Sequence, residues 1–150
     1  EIDDAVHRLR QEAGLPCTRV LQFGFETDNE NIHLPQNCPV HATMYTGTHD
    51  NDTTAGWWRS LPKQQRERAL TQFGCNESEI VSAMIRAALC SPARIVIIPA
   101  QDLLGLGSDA RMNVPGTDKG NWTWRMKAGA LEANNAGTIR AWLNTGNRRT

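Results

Sequence analysis

Apolar positions along the chain alternate between helical and strand-like periods. Ile2, Ala5, Val6, Leu9 and Ala13 recur at helical spacing, with Asp3 and Asp4 in the first turn and Gly14 as a stop, so the pattern predicts an amphipathic helix over about 2–13. Leu15-Pro16 breaks it, and Arg19 to Phe25 reads as a short strand with Glu26 to Asn31 gathered at its exit. His33 to Pro39, with two prolines, Asn37 and Cys38, predicts a loop without regular structure before a second strand from about Val40 to Tyr45. After a helix-like stretch at Ala55-Gly56-Trp57-Trp58, Leu61-Pro62 starts a charged helix over Lys63 to Phe73 that stops at Gly74. Glu77 to Leu89 places Ile80, Val81, Met84, Ile85, Ala88 and Leu89 on one strongly apolar face. Ser91-Pro92 ends that helix, and Ala93 to Pro99 is the clearest buried strand, with Gln101-Asp102 at its exit. A Gly-rich loop then leads to Gly120-Asn121-Trp122-Thr123-Trp124-Arg125, and the last thirty residues hold one helix near Ala136 to Leu143.

Helices between strands, with long loops after each strand, predict an α/β fold of about three parallel strands joined by crossover helices. Three strands cannot close a barrel, and their outer edges would be bare. The expected architecture is therefore a fragment of a TIM (β/α)8 barrel; a small open sheet is the other arrangement compatible with the pattern.

Composition narrows the partners. At 150 residues and 39% hydrophobic content the chain can build a core. Sixteen basic and sixteen acidic residues cancel, and no long run of like charge points to nucleic acid or a membrane surface. Cys17, Cys38, Cys75 and Cys90 are scattered, without a C-x-x-C pair, so they read as reduced thiols in a cytoplasmic protein. No apolar stretch approaches the roughly 18–20 residues of a membrane span, and Glu1-Ile2-Asp3-Asp4 is unlike a signal peptide. The chain begins without Met and reads as a fragment of a longer one.

The densest chemistry lies in Tyr45-Thr46-Gly47-Thr48-His49-Asp50-Asn51-Asp52-Thr53-Thr54, at the outgoing end of the second strand, where α/β proteins keep their active sites. Three readings fit. Asp52 or Thr53 can cap the helix that follows. His49 and Asp50 can bind a divalent ion as in a metal-dependent hydrolase, although no second ligand cluster accompanies them. Lastly, carboxylate and imidazole groups beside Trp57, Trp58, Trp122 and Trp124 suit a sugar ring, which offers hydroxyls at its rim and an apolar face. Core packing is the alternative for Trp58 and Trp124.

This decapeptide with Gly56-Trp57-Trp58 resembles the 4-alpha-glucanotransferases, the amylomaltase or disproportionating-enzyme family of the alpha-amylase clan. In the same order, Gly14-Leu15-Pro16, Arg19-Val20-Leu21-Gln22-Phe23-Gly24-Phe25, Leu34-Pro35-Gln36-Asn37, Gln101-Asp102-Leu103-Leu104-Gly105-Leu106-Gly107, Ala110-Arg111-Met112-Asn113, Pro115-Gly116-Thr117 and Gly120-Asn121-Trp122-Thr123-Trp124-Arg125 look like that family too. The resemblance spans roughly residues 1 to 132.

It implies that residues 1–150 are the C-terminal portion of the catalytic TIM (β/α)8 barrel domain of a retaining enzyme that moves alpha-1,4-glucan segments between maltooligosaccharides through a covalent glycosyl-enzyme intermediate, with no cofactor and no metal. Of the family's three carboxylates only the transition-state stabiliser has a counterpart, Asp50, with His49 as a substrate-contacting neighbour and Asn121 and Trp122 as further sugar contacts. The acid/base Glu and the nucleophile Asp are expected upstream, Glu1 being neither, so the fragment alone is expected to be inactive. Its expected partners are a maltooligosaccharide, the missing N-terminal part of the enzyme, or another copy meeting it through the bare strand edges. As an isolated piece it would otherwise be a glucan-binding or assembly module. Cys17 replaces a usual Gly, and the loop from Glu26 to His33 departs from the family's pattern, so no contact is carried over to that loop.

Overall fold

A computed structural model describes residues 3–26, 30–131 and 133–146. Three strands, β1 (Cys17–Val20), β2 (Ala42–Tyr45) and β3 (Ile95–Ile97), are parallel, as the alternation predicts, and pair in chain order. Their register aligns Val20 with Tyr45 and Tyr45 with Ile97, so all three strands end level and discharge their loops on one side. Helix α1 (Asp4–Glu12) precedes the sheet; α2 (Thr54–Ser60), α3 (Lys63–Phe73) and α4 (Ile80–Cys90) join β2 to β3; α5 (Ala100–Leu103) and α6 (Ala133–Thr145) follow. The β1–β2 crossover holds no α-helix among its described residues, only 3-10 turns at Leu21–Phe25 and Pro35–Asn37. The second of these lies in the segment expected to be irregular.

Local chemistry explains most boundaries. Asp3 accepts the Val6 N–H at 3.0 Å and caps α1. Helix α3 stops at Gly74 because that residue takes φ 58°, ψ 40°, a conformation that costs glycine no Cβ clash. Asn76 and Glu79 form a capping box ahead of α4. The apolar face of α4 carries Ile80, Met84 and Ala88 into a core with Leu21, Phe25, Leu34, Met44 and Trp58. Fully buried side chains such as Leu21, Met44 and Met84 contribute about 1.5–3 kcal/mol each by leaving water.

Two strands depart from expectation. The first ends at Val20, and Leu21 to Phe25, expected as its continuation, winds into a 3-10 turn. Beyond Tyr45 its partner strand has also ended, and the turn buries Leu21, Gln22, Gly24 and Phe25 while Phe23 points out. The run Ala93 to Pro99 yields only a three-residue strand, and Ile95 and Ile97 are 46% and 44% exposed rather than buried. They share one face of an edge strand that is uncovered among the described residues. Val6 and Leu9 on α1 are likewise half exposed or more.

The end of β1 carries a pH-sensitive contact. The Val20 N–H donates to Nδ1 of His33 at 3.0 Å, and the Phe23 ring meets the imidazole edge-on at 5.5 Å. Burial, and then the Arg19 guanidinium, hold His33 below its usual range. The unfolded chain therefore binds the proton more readily, so this stabilisation is complete above the ordinary histidine value near 6.5 and is lost as pH falls from there toward the depressed folded value. Thermal unfolding as a function of pH should show His33→Asn, which keeps an acceptor for Val20 but cannot titrate, losing less stability than the parent below about pH 6.5. Parallel curves would count against the contact.

Candidate active site

The loop from Thr46 to Thr53 leaves β2 at the end where the three strands discharge. Thr48 and Asn51 build its turn: Asn51 Oδ1 accepts from the Thr48 amide at 2.9 Å and the Thr48 hydroxyl at 2.7 Å, and Asn51 N–H returns to the Thr48 carbonyl at 3.2 Å. This lifts His49 and Asp50 outward, their side chains 57% and 50% exposed. Beneath, buried Gln22 donates from Nε2 to the Asp52 carbonyl at 3.0 Å. Gly47 accommodates this approach: a Cβ there would lie 2.7 Å from Gln22 Nε2 and displace the amide that bonds to Asp52.

A buried carboxylate from the next strand's exit fastens both ends of the loop. Asp102, 3% exposed, accepts on Oδ2 from the Thr46 hydroxyl at 2.6 Å and the Thr54 hydroxyl at 2.7 Å, and on Oδ1 from the Thr54 N–H at 2.7 Å. Thr54 opens α2, so one side chain ties the end of β2, the start of α2 and the start of α5 together.

Asp52 is not the helix cap. Thr53 caps α2, its hydroxyl oxygen accepting from Gly56 N–H at 3.1 Å. Asp52 instead accepts from Thr53 N–H at 2.7 Å and, on its other oxygen, from the Ser108 hydroxyl at 2.7 Å, which draws in the loop after α5. Its carboxylate lies over Gly56, where a Cβ would come within 2.5 Å of either oxygen. The crossing loop wins the carboxylate because Thr53 already fills the capping geometry.

Around Asp50 the elements converge. Asn113 Nδ2 donates to Asp50 Oδ1 at 2.6 Å, and His49 Nε2 lies 3.4 Å from that oxygen. Arg111 donates to the Asp50 carbonyl at 2.7 Å. The His49 ring packs on Trp122 with centroids 5.1 Å apart. Trp122 is 51% exposed and has φ 61°, an uncommon backbone for a bulky side chain. Asn121 holds it there: its Oδ1 accepts from Val114 N–H at 2.9 Å and its Nδ2 donates to the Thr117 carbonyl and hydroxyl, both at 3.0 Å. Thr48, His49, Asp52, Gln101, Asp102 and Arg111 are among the residues lining a cleft of about 140 Å³ at this edge.

The structure thus brings together His49, Asp50 and Trp122, while Asn121 stands behind Trp122 with its amide already engaged. Trp58 is a core residue; Trp57 packs on Phe25 at 5.7 Å and stays half-buried. Among the described residues no three His, Cys, Asp or Glu side chains assemble into a metal-ligand set, and none of the four cysteines is in a disulfide. No helix among the described residues is long and apolar enough to cross a membrane. Sequence reasoning assigned no role to Gln22, Asp102, Arg111 or Asn113. Their only local signal was membership of motifs at strand exits and loops. Within the loop expected between Glu26 and His33, Thr27 to Asn29 lie outside the described residues.

The model of the 4-alpha-glucanotransferase family (glycoside hydrolase 77) matches residues 1–132. The chain belongs to this family. A chloroplastic/amyloplastic 4-alpha-glucanotransferase of Solanum tuberosum is 49% identical over 126 residues, 83% of this chain and 22% of that protein. The Thermus thermophilus 4-alpha-glucanotransferase is 43% identical over 148 residues, 93% of this chain and 30% of that protein. Amylomaltase from Streptococcus agalactiae, solved in complex with acarbose, superposes with a TM-score of 0.94 at 32% identity, over all of this chain and 31% of that one. The chain therefore spans between about a fifth and a third of the length of these 4-alpha-glucanotransferases. Its three parallel strands and helices match a portion of amylomaltase, a TIM-barrel enzyme, and form part of such a barrel.

Proposed function

We propose that the protein containing this chain is a retaining 4-alpha-glucanotransferase, transferring alpha-1,4-glucan segments between maltooligosaccharides through a covalent glycosyl-enzyme intermediate. The observation that carries this is the Asp50 carboxylate, raised at the strand-exit edge beside His49 and the exposed face of Trp122, in a chain of this family. Retention takes one carboxylate to attack the anomeric carbon and a second, about 5–5.5 Å away, to protonate the bridging oxygen. In this reading those two come from the part of the protein upstream of the chain. Asp50 grips hydroxyls of the sugar at the cleavage point by charge-assisted hydrogen bonds that strengthen as the ring flattens. His49 contacts the same sugar, and Trp122 covers an apolar ring face. Asn121 acts through Trp122, because the loop already engages its amide. Acceptor sugar outcompetes water at the intermediate when the site excludes solvent, and Trp122 serves that end. The thiols suit a reducing cytoplasm.

Incubation with maltotriose tests the reading. The full-length protein should release glucose and build longer oligosaccharides, whereas residues 1–150 alone should do neither. Transfer by the isolated chain would overturn the assignment of the nucleophile and acid/base to the upstream part. A full-length protein inert toward maltotriose and longer maltooligosaccharides would overturn the function.

A further inference from the structure

The segment Arg111-Met112-Asn113 lies on a loop with no regular structure, more than sixty residues from Asp50 in sequence, yet it bonds to the His49-Asp50 pair at three points. Asn113 N–H donates to the His49 carbonyl at 3.1 Å, Arg111 Nη2 to the Asp50 carbonyl at 2.7 Å, and Asn113 Nδ2 to Asp50 Oδ1 at 2.6 Å. Arg111 Nε also donates to the Asn113 carbonyl at 2.8 Å, which stiffens the loop against itself. The Met112 carbonyl accepts from Trp122 N–H at 2.7 Å. The one tripeptide therefore sets both backbone carbonyls of the pair, one carboxylate oxygen and the start of the tryptophan that packs on His49.

From this geometry we infer that Asn113, backed by Arg111, is a positioning residue that fixes the rotation of the Asp50 carboxylate. An aspartate half exposed on a loop tip ordinarily samples several rotamers. Here Oδ1 is held from the protein side by a short charge-assisted bond, and among the described residues no hydrogen bond reaches Oδ2. Oδ2 is thereby the oxygen turned to the substrate hydroxyls. An amide suits this task where a cation would not, because it orients the carboxylate without neutralising it. The inference rests on the function proposed above, with Asp50 as the substrate-gripping carboxylate.

The test uses the full-length protein and initial rates of glucose release from maltotriose. Asn113→Ala should lower kcat by about tenfold to a hundredfold, the scale of a misplaced catalytic group, while KM changes by less than about threefold. Asn113→Asp, the same size without the donor and with a like charge facing Asp50, should fall at least as far, and it supplies the readout should the alanine variant not fold. In an Asp50→Asn background, Asn113→Ala should cost less than about threefold, since the two act as one unit. Unchanged kcat in a folded Asn113 variant, or a loss that multiplies fully with that of Asp50→Asn, overturns the positioning role while leaving the enzyme assignment standing. A wild-type protein without transferase activity overturns both, and is recognised before any variant is made.

Discussion

Replacing Asp50 by asparagine in the full-length protein is expected to lower kcat for maltotriose disproportionation by about two to four orders of magnitude, or about 2.7–5.4 kcal/mol of transition-state stabilisation at 1.36 kcal/mol per tenfold. The substitution keeps the shape and removes the charge. A neutral amide oxygen still accepts a hydroxyl proton, but loses the charge-assisted part that grows as positive charge builds on the sugar ring. Since that part is absent from the ground state, KM should move much less than kcat. The fold should survive, because the side chain is half exposed and its contact with Asn113 Nδ2 needs only an acceptor. Circular dichroism and a melting curve alongside initial rates separate the two effects. A kcat within a factor of about three of the parent's would remove Asp50 from the chemistry.

The reach of the sequence differs between elements for physical reasons. Helix α3 was legible to the residue because a charged, periodic run meets a glycine whose left-handed conformation forces the stop. The apolar face of α4 was legible because its period is long and unbroken. Leu21 to Phe25 was not, because a five-residue run with Leu21, Phe23 and Phe25 apolar satisfies a buried strand and a 3-10 turn equally; only the end of the paired strand at Tyr45 decides between them. Ala93 to Pro99 misled through composition: Ile95, Val96 and Ile97 announce two buried faces, and the described residues cover neither Ile95 nor Ile97 well. Of the site, His49 and Asp50 stood out as polar residues at a strand exit. Trp122 was one of four tryptophans suited to a sugar face and was singled out from them only by a resemblance spread along the chain, since no local period records that it will stack on a histidine 73 positions earlier. Asp102, Arg111 and Asn113, which bond to this loop as Gln22 and Ser108 also do, are invisible to periodicity altogether; two of the three sit where the pattern merely says loop.

Asp102 bears the largest expected effect on stability. Thr46 and Thr54 are fully buried, and among the described residues the only hydrogen bonds of their hydroxyls end on its carboxylate, as does the Thr54 N–H. In Asp102→Ala those donors lose their acceptor. Each buried donor left unsatisfied costs about 1–3 kcal/mol, and water entering from the adjoining cleft recovers part of it, so the expected loss is about 3–5 kcal/mol. Against the roughly 5–15 kcal/mol that holds a typical domain folded, this is a large fraction. Asp102→Asn should be far milder, about 1–2 kcal/mol. Its amide oxygen can still take the Thr54 N–H, and its NH2 can donate to both hydroxyl oxygens; what it cannot do is accept the hydroxyl protons. Denaturant unfolding of the full-length protein and its two variants measures the difference. Activity should follow the same order, alanine well below asparagine, because the loop that presents Asp50 is tied to Asp102 at both ends. The reverse order, with Asp102→Asn inactive but stable, would mean that the charge itself takes part in the reaction and that the cleft it lines is more than a scaffold.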